Sequence, residues 1–168
     1  DSTTGMEIKS GDSTRTLVGL ARVITGPAWI DTAAQRFVMS WFNRRAISAS
    51  NTLASANTTS ATYVDLTPSN QAEFLTWADE AVQMDVGGAH TVNVASRTGF
   101  SQLRLDGSGV GNETQNSTSS GAFWGDVSVG HVAFLSEGKH DISLQGRNSS
   151  GADTSTWEDL QLRAITRG

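Results

Sequence analysis

The sequence predicts an all-β fold, a jelly-roll-like antiparallel β-sandwich. Two features of the chain support this prediction. Apolar residues recur with a period of two, while long stripes with a period of 3.6 are scarce. Short strand-like runs also follow one another at regular spacing, and turns rich in glycine separate them. A chain of 168 residues, of which 37% are hydrophobic, is large enough to bury a core.

The alternation predicts each strand in turn. Gly26-Pro27 marks a loop, and Gly87-Gly88 and Thr98-Gly99 are predicted turns. The last two strands are expected to run antiparallel through the core, with residues 148–151 as their exposed connection. Strands are predicted at residues 16–23, 36–42, 61–66, 73–77, 82–86, 92–94, 103–105, 139–146 and 157–165.

Composition excludes several classes of partner. The chain carries 12 basic and 17 acidic residues, and no basic cluster exceeds Arg44-Arg45, so a nucleic-acid partner is not expected. The absence of cysteine rules out disulfides and thiolate metal sites. No apolar run reaches the ~20 residues that a membrane span needs. The polar start without an initiator methionine is interpreted as a piece of a longer protein or a processed product.

No catalytic motif is recognisable, so the chain is not expected to be an enzyme or to use a cofactor. Glycan hydrolysis needs two opposed carboxylates. The best candidates, Asp79-Glu80 and Glu158-Asp159, are adjacent in sequence, and a strand would direct neighbouring side chains to opposite faces.

No metal is expected either. Asp106, Ser108 and Asn112-Glu113 resemble a loose calcium loop, but their spacing matches no defined one. The histidines lie beside glycine turns within or at the edge of strands, which favours polar residues at a sheet rim over catalysis. They are His90, His131 and His140.

A polar segment at residues 106–126 is predicted to be a long, glycine-rich loop and the candidate binding site. It combines aromatic rings, which can stack on sugars, with carboxylate and amide groups, which can pair with hydroxyls. Packing of the tryptophan against the sandwich edge is an equally open alternative. The candidate glycan-binding residues are Trp124, Phe123, Asp126, Asn112 and Asn116.

The other tryptophans have different predicted roles. Trp41, Trp77 and Trp157 lie within strand patterns and are expected in the core. Trp29 follows Gly26-Pro27 and is a candidate for a subunit interface.

Four stretches of the chain together resemble tail-fibre and tail-spike-like virion proteins of phages and prophages of alphaproteobacteria. They are residues 6–22, 40–45, 74–82 and 135–147. The resemblance implies a C-terminal module with lead-in strands at residues 1–45, after an upstream β domain, and a sandwich at residues 46–168. It also implies a homotrimer at the phage particle surface, in contact with other virion proteins.

These observations lead to one main hypothesis, a virion fibre or spike module that binds a host-surface glycan. The first alternative is a head-fibre or capsid-decoration protein with a structural role. The second is a spike that degrades polysaccharide.

Overall fold

The computed structural model describes residues 8–9, 12–16, 18–22, 31–40, 46–117 and 124–167. Within these ranges the chain forms strands and turns, and no helix there is long and apolar enough to cross a membrane. In chain order the strands are β1 (Ile8–Lys9), β2 (Asp12–Thr16), β3 (Gly19–Ala21), β4 (Gln35–Arg36), β5 (Val38–Ser40), β6 (Ser48–Thr58), β7 (Val64–Asp65), β8 (Ala72–Thr76), β9 (Glu80–Val92), β10 (Thr98–Leu105), β11 (Ser108–Ser117), β12 (Gly125–Leu135), β13 (Gly138–Asn148) and β14 (Ser155–Thr166).

Two sheets form a β-sandwich with a jelly-roll-like character, which confirms the predicted fold class. One sheet has six strands in the order β11-β10-β13-β8-β4, with β7 paired to β13. The other has four long strands in the order β12-β9-β14-β6. The pairings are antiparallel except for β4 with β8, so each sheet can bury one face and leave the other to solvent.

The core lies between the two sheets. Trp157 is fully buried, and its indole N–H donates to the Ser101 hydroxyl at 2.8 Å, so its polar atom is satisfied. Alternate positions of the facing strands supply most of the rest of the core. Its larger side chains there include Phe74, Val82, Met84, Val86, Leu103, Val127, Val129, Ile142, Leu144, Leu160 and Leu162.

A second, smaller cluster packs beside β8. Phe37 and Met39 from the lead-in cover Leu75 and Trp77, and all four are buried. β4, also from the lead-in, pairs with β8 in the six-stranded sheet. Residues 31–40 therefore pack onto the sandwich.

The side-chain faces of the last two strands are confirmed, but their placement in one antiparallel pair is wrong. His140, Ile142 and Leu144 share a buried face of β13, and Leu160 and Leu162 are buried on β14. The two strands nevertheless lie in opposite sheets, because β13 pairs with β10 and β14 pairs with β9 and β6. Residues 149–154 cross from one sheet to the other.

Three turn or loop predictions are also wrong. Thr98 and Gly99 lie at the start of β10, and the turn precedes them. Residues 108–117 form β11 and β12 begins at Gly125, so the predicted loop at 106–126 is wrong over these residues, and the turn lies at Asp106-Gly107. Gly87 and Gly88 lie inside β9, where the pairing with β14 shifts register. A Cβ on Gly88 would lie 2.9 Å from the Glu158 carbonyl oxygen, so glycine permits a close backbone approach there.

Candidate functional site

The outward surface of the four-stranded sheet, here called the open face, is the candidate site. Its edge strand β12 buries Val127, Val129 and Leu135, so the intervening side chains point away from the core. Cross-strand partners point the same way, which allows the face to be traced in rows.

The rows follow from the register of β12, β9 and β14. Each is a set of neighbouring side chains that one ligand could contact together. From one end of β12 to the other the rows are Phe134 with Ala81; Val132 with Gln83 and Ile165; Gly130 with Asp85 and Arg163; Ser128 with Gly87 and Gln161; and Asp126 with Ala89 and Glu158.

Exposed aromatic rings mark both ends of this face. Phe134 is 76% exposed on β12, and Trp124, immediately before β12, is 47% exposed. Position 124 continues the outward series of Asp126 and Phe134, because alternate residues of a strand share a face. Large apolar side chains left in solvent are the informative exception to burial and often mark an interaction surface.

Polar groups between the two rings are available for a ligand. Within the described ranges, the side chains of Asp126, Gln161 and Arg163 make no hydrogen bond or ion pair, and all three are exposed. They offer a carboxylate, an amide and a guanidinium group, which together supply both donors and acceptors.

A shallow depression of about 300 Å³ adjoins Phe134. Arg167 lines it and donates to the Gln83 side-chain oxygen at 3.4 Å, while Gln83 donates to Asp85 at 3.1 Å. Donors and acceptors therefore lie beside the more exposed of the two rings.

The outward surface of the six-stranded sheet, here called the paired face, differs from the open face in how its aromatic and polar side chains are partnered. Its Phe100 ring is covered by the Arg147 guanidinium group, which lies 3.7 Å from the ring centroid. Most of its polar side chains pair with one another. Arg104 pairs with Asp65 at 2.5 Å, and three further pairs lie on the same face. These are Arg147 with Glu113 at 3.2 Å, Gln145 with Gln102 at 2.7 Å, and Lys139 with Glu73.

Tyr63 completes the paired face. Its hydroxyl donates to Glu113, and the Arg147 guanidinium group lies 5.2 Å from its ring centroid. Burial, together with the hydrogen bond to Glu113, raises the pKa of Tyr63 to about 12. Most polar side chains of this surface are therefore paired with one another, and these contacts stabilise the sheet; within the described ranges, Gln115 and the Asp141 carboxylate make no such bond.

The structure separates the candidate residues predicted from the sequence. Trp124 and Asp126 belong to the open face, whereas Asn112 and Asn116 lie on β11 of the other sheet. Phe123 lies outside the described residues. The four described candidates therefore lie on or beside strands of two different sheets and do not belong to one loop.

Asn116 has a structural contact instead. Its amide donates to the His90 carbonyl oxygen at 3.4 Å and lies against Gly125, where a Cβ would overlap it. Farther along β11, the Thr114 hydroxyl donates to the Ser128 carbonyl oxygen at 3.2 Å. β11 thus links the edges of the two sheets beside Trp124.

The histidine prediction is wrong for His90 and His140, which are 1% and 7% exposed. His140 contacts the Asp106 carboxylate at 2.7 Å, and Asp106 also accepts the Asp141 N–H at 3.0 Å. The Asp106 carboxylate thus has protein partners on both oxygens.

The adjacent carboxylates also have distinct surroundings. Glu80 is 8% exposed and accepts the Trp77 N–H at 2.9 Å, whereas Asp79 is exposed in a turn with a φ of 56°. Burial of Trp77 and Trp157 confirms the core prediction for these two, and Trp29 and Trp41 lie outside the described residues.

Sequence reasoning missed Phe134. The signal that could have found it is the alternation of β12, since Val127, Val129 and Leu135 fall on one face and leave Phe134 on the other.

Comparisons with known proteins supply similarities of fold. No family model and no curated protein matches the chain. The insecticidal delta-endotoxin Cry8Ea1 from Bacillus thuringiensis aligns with a TM-score of 0.41 and 10% identity, over 67% of this chain and 19% of the toxin chain. A chain of the infectious bursal disease virus Gx strain aligns with a TM-score of 0.48 and 12% identity, over 91% and 38%.

A third similar structure is a Paenibacillus cycloisomaltooligosaccharide glucanotransferase complexed with cycloisomaltoheptaose. It aligns with a TM-score of 0.28 and 18% identity, over 70% of this chain and 17% of the enzyme. The chain spans less than two fifths of the length of each of these three proteins. The fold and the site together define a β-sandwich with the paired face on one sheet and the open face on the other.

Proposed function

We propose that this chain is a carbohydrate-binding module of a phage tail fibre or spike, and that it binds a host-surface glycan through the open face. The observation that carries the glycan assignment is the contrast between the two sheet surfaces. On the paired face, the Phe100 ring is capped and most of the polar side chains are paired with one another. On the open face, Trp124 and Phe134 are exposed, and the side chains of Asp126, Gln161 and Arg163 between them bind nothing within the described ranges.

Sugars need this combination of groups. The apolar face of a pyranose stacks on an aromatic ring, while its hydroxyls require donors and acceptors at close range. The surface is shallow, so a single site is expected to bind weakly, and a homotrimer presenting three copies would supply avidity. The virion assignment, the trimer and contacts with other virion proteins rest on the sequence resemblance.

The proposal assigns no catalytic activity to the module. The Glu80 carboxylate, which lines the depression beside Phe134, accepts a hydrogen bond from the Trp77 backbone N–H. Incubation of host polysaccharide with the chain is expected to release no new reducing ends. Turnover that disappears when one carboxylate is replaced would establish the degrading spike instead.

The test compares Phe134→Ala and Trp124→Ala with the unmodified chain in binding to host cells and in thermal unfolding. Phe134 is 76% exposed, so its truncation is expected to change stability by no more than about 0.5 kcal/mol while binding falls. Trp124→Phe retains a ring and should retain more binding than Trp124→Ala.

The alternative of a capsid-decoration protein predicts another result. In that case Val132 and Phe134 contact another protein subunit, and Phe134→Ala alters oligomerisation or attachment to the particle. Neither the unmodified chain nor the Phe134→Ala variant would then bind glycan. Variants that are destabilised yet bind host cells normally would refute the open face as the binding surface.

A further inference from the structure

We infer that the ligand is a neutral, unbranched glycan chain that lies along β12 and contacts both Trp124 and Phe134. This inference rests on the proposed function and adds to it the ligand's charge, shape and direction. Three features of the open face support it: the spacing of the rings, the small residues between them, and the balance of charge.

The rings are far apart along one strand. Trp124 and Phe134 are ten positions apart in sequence, and a rise of about 3.3 Å per residue places them roughly 33 Å apart. One terminal sugar cannot touch both rings. An extended chain of several units can, and it would run parallel to the strand.

The surface between the rings admits such a chain. The two middle positions of β12 are Ser128 and Gly130, and Gly87 lies beside Ser128 on β9. A Cβ built on Gly87 would meet nothing within 4 Å, so space is open above the sheet there. At Gly130 the Asp85 carboxylate lies 3.2 Å from where a Cβ would stand, so the open part of the strip is at Ser128 and Gly87, where small residues allow a ligand to approach the backbone closely.

Polar side chains flank this low strip along its length. Gln161 and Arg163 stand two residues apart on β14, and Asp126 lies toward the Trp124 end of β12. Because these groups are spaced along the strand, they suit hydroxyls that repeat along a polymer better than the groups of one compact ligand.

Charge selects against an acidic polymer. The rows of the open face carry three carboxylates, Asp85, Asp126 and Glu158, whereas the cationic groups are Arg163 and, at the end, Arg167. An anionic chain needs clustered arginine or lysine and would here meet like charge. A neutral glycan leaves the carboxylates free to accept hydroxyl hydrogen bonds.

The first experiment screens the full chain on an array of neutral and acidic bacterial polysaccharides. The strongest neutral binder is then cut into size-graded oligosaccharides, whose affinities are measured by calorimetry. Affinity is expected to rise with chain length until both rings are spanned, and Trp124→Ala and Phe134→Ala should each lower it about tenfold for the long chain.

The second experiment blocks the strip between the rings. Ser128→Ile places a branched side chain at an exposed strand position, and Gln115→Ile is the matched control on the paired face. Ser128→Ile should remove the gain from chain length while short oligosaccharides bind as before. Gln115→Ile should change neither the gain in affinity with chain length nor the affinity for short oligosaccharides.

The outcomes separate the two proposals. If no polysaccharide on the array binds, the proposed function itself fails. If a polysaccharide binds with an affinity independent of chain length, or acidic polymers bind better than neutral ones, the function stands and this inference is overturned. Loss of binding in Gln115→Ile but not in Ser128→Ile would move the ligand to the paired face.

Discussion

Lowering the pH tests how much the buried, neutral ring of His90 contributes to the stability of the fold. His90 lies at the end of the sandwich that carries Trp124. His90 is 1% exposed and stacks on Trp157 with ring centroids 4.6 Å apart. Neither ring nitrogen has a hydrogen-bond partner among the described residues. Burial disfavours the charged imidazolium and lowers the pKa of His90 from 6.5 to about 4.

The direction and size of the effect follow from linkage. Between pH 6.5 and 4 the unfolded chain binds a proton at His90 that the folded chain does not, so stability falls as the pH is lowered through this window. Each pKa unit corresponds to about 1.4 kcal/mol. The shift to about 4 therefore predicts a loss of about 3 kcal/mol in the free energy of unfolding.

Urea unfolding at a series of pH values measures this loss. His90→Leu removes the titrating ring, so its unfolding free energy should decline less between pH 6.5 and 4, and the difference between the two curves isolates His90 from the carboxylates. Parallel curves for the two chains would refute the argument. They would mean that the ring gains a proton in the folded state at little cost.

Three further predictions concern packing and assembly. Gly99→Ala should destabilise the fold strongly, because a Cβ there would overlap the His90 ring. Gly87→Ala should not, because a Cβ on Gly87 would have no neighbour within 4 Å. Chemical denaturation of both variants measures the difference in stability. Trp157→Phe should cost about 1–3 kcal/mol in the same assay, since it leaves the buried Ser101 hydroxyl without the indole donor that lies 2.8 Å away; an unchanged midpoint would contradict this. Light scattering should give about three times the chain mass of 17.8 kDa, and a monomer at micromolar concentration would count against the trimer.

The sequence predicted the fold best where burial is one-sided. β13 and β14 alternate clearly because their inward residues, such as Ile142 and Leu162, pack in the core. The alternation shows which face is buried but not which strand lies beside it. For that reason the two strands were expected to pair, whereas the register places them in opposite sheets.

β11 could not be found from hydrophobic alternation because it has little of it. Glu113 faces the paired surface, and Thr114 and Asn116 meet the other sheet through polar contacts. The strand is specified by backbone pairing with β10, which leaves no apolar pattern in the sequence. The polar composition of residues 108–117 therefore favoured a loop.

The sequence predicted only part of the candidate site, because local pattern does not show which strands lie side by side. Trp124 and Asp126 are visible in the sequence as an aromatic residue and a carboxylate close together. Phe134 lies eight positions beyond Asp126 and shares its face only because β12 holds both residues, with Trp124 immediately before the strand. The partners on β9 and β14, such as Gln161 and Arg163, come from register, which local pattern does not determine.

The most direct test of the open face is an amide chemical-shift titration of the full chain with the strongest polysaccharide from the array. Shifts are expected to cluster on β12 from Gly125 to Leu135 and on the facing positions of β9 and β14. Shifts centred on the paired face, around Phe100 and Arg147, would contradict this expectation.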